Sequence, residues 1–292
     1  MNLMGRGWAI SASSEKVLAG AVLFTALILS SCLLFPGDLP AKTPDTLGKW
    51  TKQHVHRHGS GSMMALDCIS RSHCEAVGQS YGTGLPAATW NGHRWIGRRR
   101  APAPANSQIN SVSCVSVHNC MAVGEYSNSA GVLTEHLKGR RWKNKHAPTS
   151  QSWGLFGVSC VSARFCMAVG VRNPPPGSHG VATGSLIERW NGHRWSRVGA
   201  PSHKTDVLWD VSCVSGRSCV AVGSETHPRH FIVEQWNGSH WKRKSIGRPA
   251  HGGDDFLLDI SCPRAGECFA VGGDQGINNE IERLHHGRWS RS

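Results

Sequence analysis

A five-bladed β-propeller, an all-β fold of four-stranded blades preceded by one N-terminal helix, is predicted by three observations in the 292-residue sequence. The motif Cys-x5-Cys-x-Ala-Val-Gly occurs five times. Each copy is followed by a turn that closes on tryptophan, and the stretches around both read as short β-branched or alternating runs. The first cysteines stand at 68, 114, 160, 213 and 262, a spacing of 46 to 53 residues that falls in the range of propeller blades.

Each element of a repeat has a local cause, as the third copy shows. Val158 to Val161 is short and β-branched, and Cys166 to Gly170 is a second short apolar run. Ser185 to Trp190 (SLIERW) alternates, and Arg194 to Val198 follows the Asn191-Gly192 turn, a strong hairpin signal because both residues tolerate positive φ. An even loop length places Trp190 and Trp195, like Trp90 and Trp95, on one face of the hairpin. Leu137 and Leu284 replace the first tryptophan at the same interval from Trp142 and Trp289. The position therefore asks for apolar bulk, and the pair reads as a packing plate between sheets rather than a glycan platform. The small residues of the second strand, Ala168 and Gly170 and their equivalents, are expected to leave room for a neighbouring sheet's bulky side chains.

Eleven cysteines divide into ten in the repeats and Cys32 near the N-terminus. Paired strands can bring β-carbons to disulfide distance, which predicts Cys68 with Cys74, Cys114 with Cys120, Cys160 with Cys166, Cys213 with Cys219 and Cys262 with Cys268. Two thiols per repeat without knuckle spacing argue against zinc, so no metal or other cofactor is expected.

The apolar run Val17 to Phe35 is long enough to cross a bilayer, with Arg6 and Lys16 before it. Leu29-Ser30-Ser31-Cys32 also fits a lipobox, making Cys32 a lipidation candidate. A retained anchor, a lipoprotein signal and an ordinary cleaved signal all remain open, and each exports the body. The expected divisions are 1–35 (signal or anchor), 36–62 (polar stalk) and 63–292 (propeller), with repeats at about 63–106, 107–152, 153–203, 204–252 and 253–292. The expected location is the cell membrane with the body outside the cytoplasm, or secreted after cleavage.

The repeats, with SCVS, CxAVG and WNGxxW, resemble tandem units of uncharacterised secreted bacterial proteins, over about residues 63–292. With glycine in the second strand and tryptophan in the fourth, their layout is similar to the kelch and galactose-oxidase type of propeller. The resemblance implies a fold and no activity. Leu47-Gly48-Lys49-Trp50 looks like an additional fourth strand before the first repeat, and both an extension of a blade at ring closure and a plain piece of stalk remain open for it.

A net charge of +13 favours polyanionic partners such as phospholipid headgroups or acidic glycans. Glu135, Glu188, Glu234 and Glu282 recur two residues before the apolar pair and read as buried acceptors with a structural role. His54, His56 and His58 alternate in the stalk and read as an incidental run. Only Tyr81 and Tyr126 could serve as tyrosine ligands, and neither a serine nucleophile elbow nor an Asp box is visible. Without a recurring catalytic set, no catalytic residue is assigned. Recognition is placed on loops: Arg98, Arg99 and Arg100, the Val171–Gly184 insert with Arg172, and Tyr81 and Tyr126. The function expected is a membrane-tethered binding module for an envelope polyanion, glycan or protein partner; nucleic acid is not the expected partner. The alternatives are an envelope scaffold or a glycan-active propeller enzyme with a rim site.

Overall fold

The computed structural model describes residues 52–53, 55 and most of 61–291. Residues 1–51, 54, 56–60 and 292 fall outside the description, as do 83, 99–102, 104–105, 127–130, 148–151, 173–183, 202–205, 227–228, 245–254 and 274–278 within connections. The helix expected over 17–35, Cys32, Trp50, the three stalk histidines, Arg99, Arg100 and most of the 171–184 insert therefore lie outside the described residues. Among those described, no helix is long and apolar enough to cross a membrane.

Among the described residues the strands come in five groups of four. The first repeat carries β1 (Gly61–Ser70), β2 (His73–Ser80), β3 (Ala87–Trp90) and β4 (Trp95–Arg98). The second carries β5 (Ser107–Ser116), β6 (Asn119–Tyr126), β7 (Gly131–Lys138) and β8 (Arg141–Asn144). The third has β9 (Ser152–Ser162), β10 (Phe165–Arg172), β11 (Ser185–Trp190) and β12 (Trp195–Arg197). The fourth has β13 (Asp206–Ser215), β14 (Ser218–Thr226), β15 (Arg229–Trp236) and β16 (Trp241–Lys244). The fifth has β17 (Phe256–Arg264), β18 (Glu267–Gly273), β19 (Asn279–His285) and β20 (Arg288–Arg291). Each group is an antiparallel meander.

All five disulfides join the first strand to the second within a repeat, with S–S distances of 2.03–2.06 Å. Closing a seven-residue ring restricts the unfolded chain by about 2 kcal/mol each. Beyond the disulfide every first strand carries a β-bulge, at Met64, Asn110, Phe156, Trp209 and Leu258. The Ala-Val-Gly glycine sits opposite it. A Cβ on Gly124 would meet the Gln108 carbonyl oxygen at 1.9 Å, and one on Gly223 the Val207 oxygen at the same distance. The glycine thus accommodates its own sheet's bulge, which corrects the expectation that it makes room for the neighbouring sheet.

The alanine and the bulky pair do serve the joint between sheets. Ala168, Trp190 and Trp195 share one core cluster with Met121 and Val123 of the preceding repeat, and the two indoles lie 5.8 Å apart. Burial of each large apolar side chain in such a layer contributes about 1.5–3 kcal/mol. The WNGxxW turn is held by its asparagine: Asn191 Oδ1 accepts the His193 and Arg194 amides at 3.0 Å, with Gly192 at φ +97°. Trp190 Nε1 then donates to the Ala163 carbonyl in the disulfide-flanked turn, tying the two turns together.

First strands of successive repeats lie side by side, joined by side chain to backbone. The residue before each first cysteine accepts the next repeat's cysteine amide: Asp67 from Cys114 at 2.6 Å, and Ser113 from Cys160, Ser159 from Cys213 and Ser212 from Cys262 at 3.0 Å. Two residues earlier, Ser111 accepts the Val158 amide and Asp210 the Ile260 amide. These bonds set the repeats in one orientation around a shared axis.

The expected five-bladed ring is corrected on two counts. Among the described residues hydrogen bonding forms four sheets, because a Gln79–Gln108 bridge merges the first two repeats into one of eight strands. No comparable contact joins β17 to β1, and the side chains that would meet there, among them Leu66 and Phe269, are exposed.

Candidate functional site

Because the repeats share one orientation, the disulfide-flanked turn and the third-to-fourth-strand turn of every repeat emerge on the same rim. The two turns touch: a Cβ on Gly92 would lie 3.1 Å from Ser72, and one on Gly192 3.0 Å from Arg164. Every repeat places arginine on at least one of the two. Arg71 and Arg94 stand there in the first repeat, Arg140 and Arg141 in the second, Arg164 and Arg194 in the third, all exposed. Arg217 continues the series in the fourth repeat, and Arg264 and Arg288 in the fifth. Glu267, on the fifth repeat's first turn, is paired with Arg264 at 2.7 Å and His285 at 3.2 Å. The rim is a crown of exposed arginines with at least one in every repeat.

The first strands carry a different chemistry. Phe156 and Trp209, the bulge residues of the third and fourth repeats, stack on each other at 4.9 Å. Trp209 Nε1 donates to Ser224 Oγ at 3.2 Å. Beside them Asp210 is pushed well above the ordinary carboxylate range by loss of solvation and by its hydrogen bond with Asp259. Gly157 makes the space for that carboxyl, since a Cβ there would meet Asp210 Oδ1 at 2.5 Å. Among the described residues no cluster of three or more histidine, cysteine or acidic side chains could hold a metal.

The recurrent glutamates are buried within their sheets. Glu188 stands in register between Ala168 and Arg197, and Glu234 between Ala221 and Arg243. Burial and the Asp206 charge raise Glu234 to about 8, with Arg243 pulling the other way. Arg243 itself reaches Asp206 at 3.2 Å and Glu225 at 3.3 Å. The first repeat substitutes Glu75, whose Oε1 accepts from Thr89 at 2.6 Å.

The sequence-predicted contact residues do not converge. Arg98 turns inward and donates from Nε to Thr89 Oγ1 at 2.7 Å. Tyr81 is exposed, whereas Tyr126 packs on the core of the first two repeats and is raised by burial and the Glu135 charge. Arg172, half-buried at the end of β10, is lowered by burial and the Arg197 charge. Tyr126 and Arg172 end β6 and β10 and Tyr81 follows β2, all at the strand ends away from the cationic turns. The crown was absent from the sequence-based candidates. Its signal was present in the turns themselves, as HRW, RRW, HRW and GRW, once those turns are known to share a rim.

No protein-family model and no curated protein matches the chain. Solved structures do. A six-bladed β-propeller fungal lectin from Aleuria aurantia aligns at TM-score 0.54 and 13% identity, covering 80% of this chain and 77% of that one. The SapL1 lectin in complex with α-methyl fucoside aligns at 0.54 and 12%, covering 80% and 79%. The WD40 β-propeller domain of Doa1 aligns at 0.50 and 9%, covering 79% and 67%. At these identities the likeness shows the fold alone. The chain is an all-β propeller of repeated sheets with a disulfide in each repeat, and its similarity to a six-bladed ring agrees with first and last repeats that, among the described residues, are not packed together.

Proposed function

We propose that this chain is a binding module whose contact surface is the crown of arginines on the disulfide rim, and that its ligand is an extended polyanion of the cell envelope. The carrying observation is that all five repeats place cations on the same rim, while carboxylates such as Asp206, Glu225 and Asp259 sit away from it. Ten cysteines joined in five disulfides support an extracytoplasmic location. The run Val17 to Phe35 supports a membrane tether.

A second reading has one specific support. The Phe156–Trp209 stack beside Asp210 and Asp259 combines an apolar shelf with hydroxyl acceptors, as a neutral sugar requires. Two similar solved structures concern fucose-binding lectins.

Titrating the full chain against polyphosphate, poly-glutamate and neutral dextran, at about 0.01 M and about 1 M salt, separates these readings. Polyanion binding that disappears at high salt is expected. Salt-insensitive binding of a neutral glycan, with none of the polyanions, would overturn the crown as the contact surface.

A further inference from the structure

The internal joints share one design, and among the described residues both halves of it are exposed at the ends of the array. In the last joint Val220, Val222, Phe231 and Val233 of the fourth repeat pack on Leu257, Ile260, Ala270 and Leu284 of the fifth. The forward-facing positions equivalent to Val220, Val222 and Val233 in the fifth repeat are Phe269, Val271 and Ile281. They are 43%, 43% and 47% exposed, against 6%, 0% and 0% for the three valines. The backward-facing positions equivalent to Leu257 and Ile260 in the first repeat are Met63 and Leu66, at 42% and 59% exposure against 0% and 5%.

The polar half of the joint is exposed in the same way, with Asp259 also sharing a hydrogen bond with Asp210 of its own chain. Asp259 and Ser261 occupy the positions from which Asp210 and Ser212 accept the next repeat's amides. The Leu66 and Cys68 amides occupy the receiving positions. A cleft of about 360 Å³ lies along this face, lined by Met63, Met64, Leu66, Ala76 and Trp95, with Gln53 and Val55 also on its wall.

We propose that these two faces dock a second copy of this chain, the fifth repeat of one copy against the first repeat of another. An occupant of the forward face must present two amides, two residues apart on a bulged strand, with apolar side chains flanking them and a small residue behind. The first repeat of this same chain meets that description with Leu66, Cys68, Met63 and Ala76, and the matching pair of faces is already buried within the molecule at successive joints. The faces differ from each other, so the contact is heterologous and copies add head to tail rather than as a symmetric pair.

Sedimentation of the full chain over a hundredfold concentration range tests this, using Leu66→Arg and Val271→Glu. Both side chains are exposed, so the variants keep their near-ultraviolet tryptophan signal; Met63→Arg replaces Leu66→Arg, and Ile281→Arg replaces Val271→Glu, if either does not. The wild type is expected to grow beyond a dimer with concentration, and each variant to stay monomeric. An equimolar mixture is expected to form a one-to-one dimer, because Leu66→Arg retains the fifth-repeat face and Val271→Glu the first-repeat face. A wild type that stays monomeric, variants that associate like the wild type, or a mixture that stays monomeric would each overturn the proposal. A monomer whose Leu66 and Cys68 amides exchange slowly would overturn it in favour of another part of the same chain in the cleft.

Discussion

The Asp67 carboxylate accepts the Cys114 amide at 2.6 Å across the first joint, where the later joints use a serine hydroxyl at 3.0 Å. An ionised acceptor makes the stronger bond. Asp67→Ala is expected to cost about 2 kcal/mol and Ser159→Ala about 1 kcal/mol in urea unfolding. Equal costs would mean that the charge adds nothing at this seam.

The bulge predicts a sharp contrast between glycines. Gly124→Ala brings a methyl group to 1.9 Å from a backbone carbonyl, whereas a Cβ on Gly199 meets nothing within 4 Å. The first substitution is expected to destabilise by about 3 kcal/mol, and the second to shift stability by less than ~0.5 kcal/mol. Thermal midpoints of the two variants measure the difference.

Glu234 makes stability depend on pH. Its folded pKa is raised from 4.5 to about 8, so the folded chain keeps a proton that the unfolded chain has released. The stability held by that proton is complete below 4.5 and is lost as pH rises through about 8. Glu234→Gln is expected to flatten this slope and to be more stable than the wild type above pH 8. Denaturation curves across that window check both parts.

On the crown, Arg164→Glu with Arg194→Glu is expected to weaken polyphosphate binding by roughly tenfold at low salt and to reduce its salt dependence. Unfolding curves should be unchanged, since both side chains are exposed. Unaltered affinity would move the contact surface elsewhere.

Removing one staple, Cys160→Ser with Cys166→Ser, is expected to cost about 2 kcal/mol. Comparison with the reduced wild type in guanidinium shows how much of the stability the remaining pairs carry.

The repeat was legible because its signals are local. Cysteine spacing gave the pairings now seen between β9 and β10, and the Asn-Gly turns gave the tryptophan hairpins. What escaped depends on contacts between repeats. The role of Gly170 appears only when Leu155 is seen to pair with it across a bulge, a register that residue identity does not display. Ring closure escaped for the same reason: Leu66 and Val112 are equivalent in sequence, yet one faces a cleft and the other a packed core. The crown needed the common orientation imposed by the Asp67, Ser113, Ser159 and Ser212 bonds, since a basic turn read alone has no neighbours.

Those four seams also bear on how such a chain could lengthen or shorten. Each is written in nearly the same chemistry, an acceptor before one cysteine and an amide at the next, so a gene duplication or loss of one whole unit would leave every surviving seam matched. Diversity in array length would then come at little cost in foldability, with the number of arginine positions around the circumference changing in step.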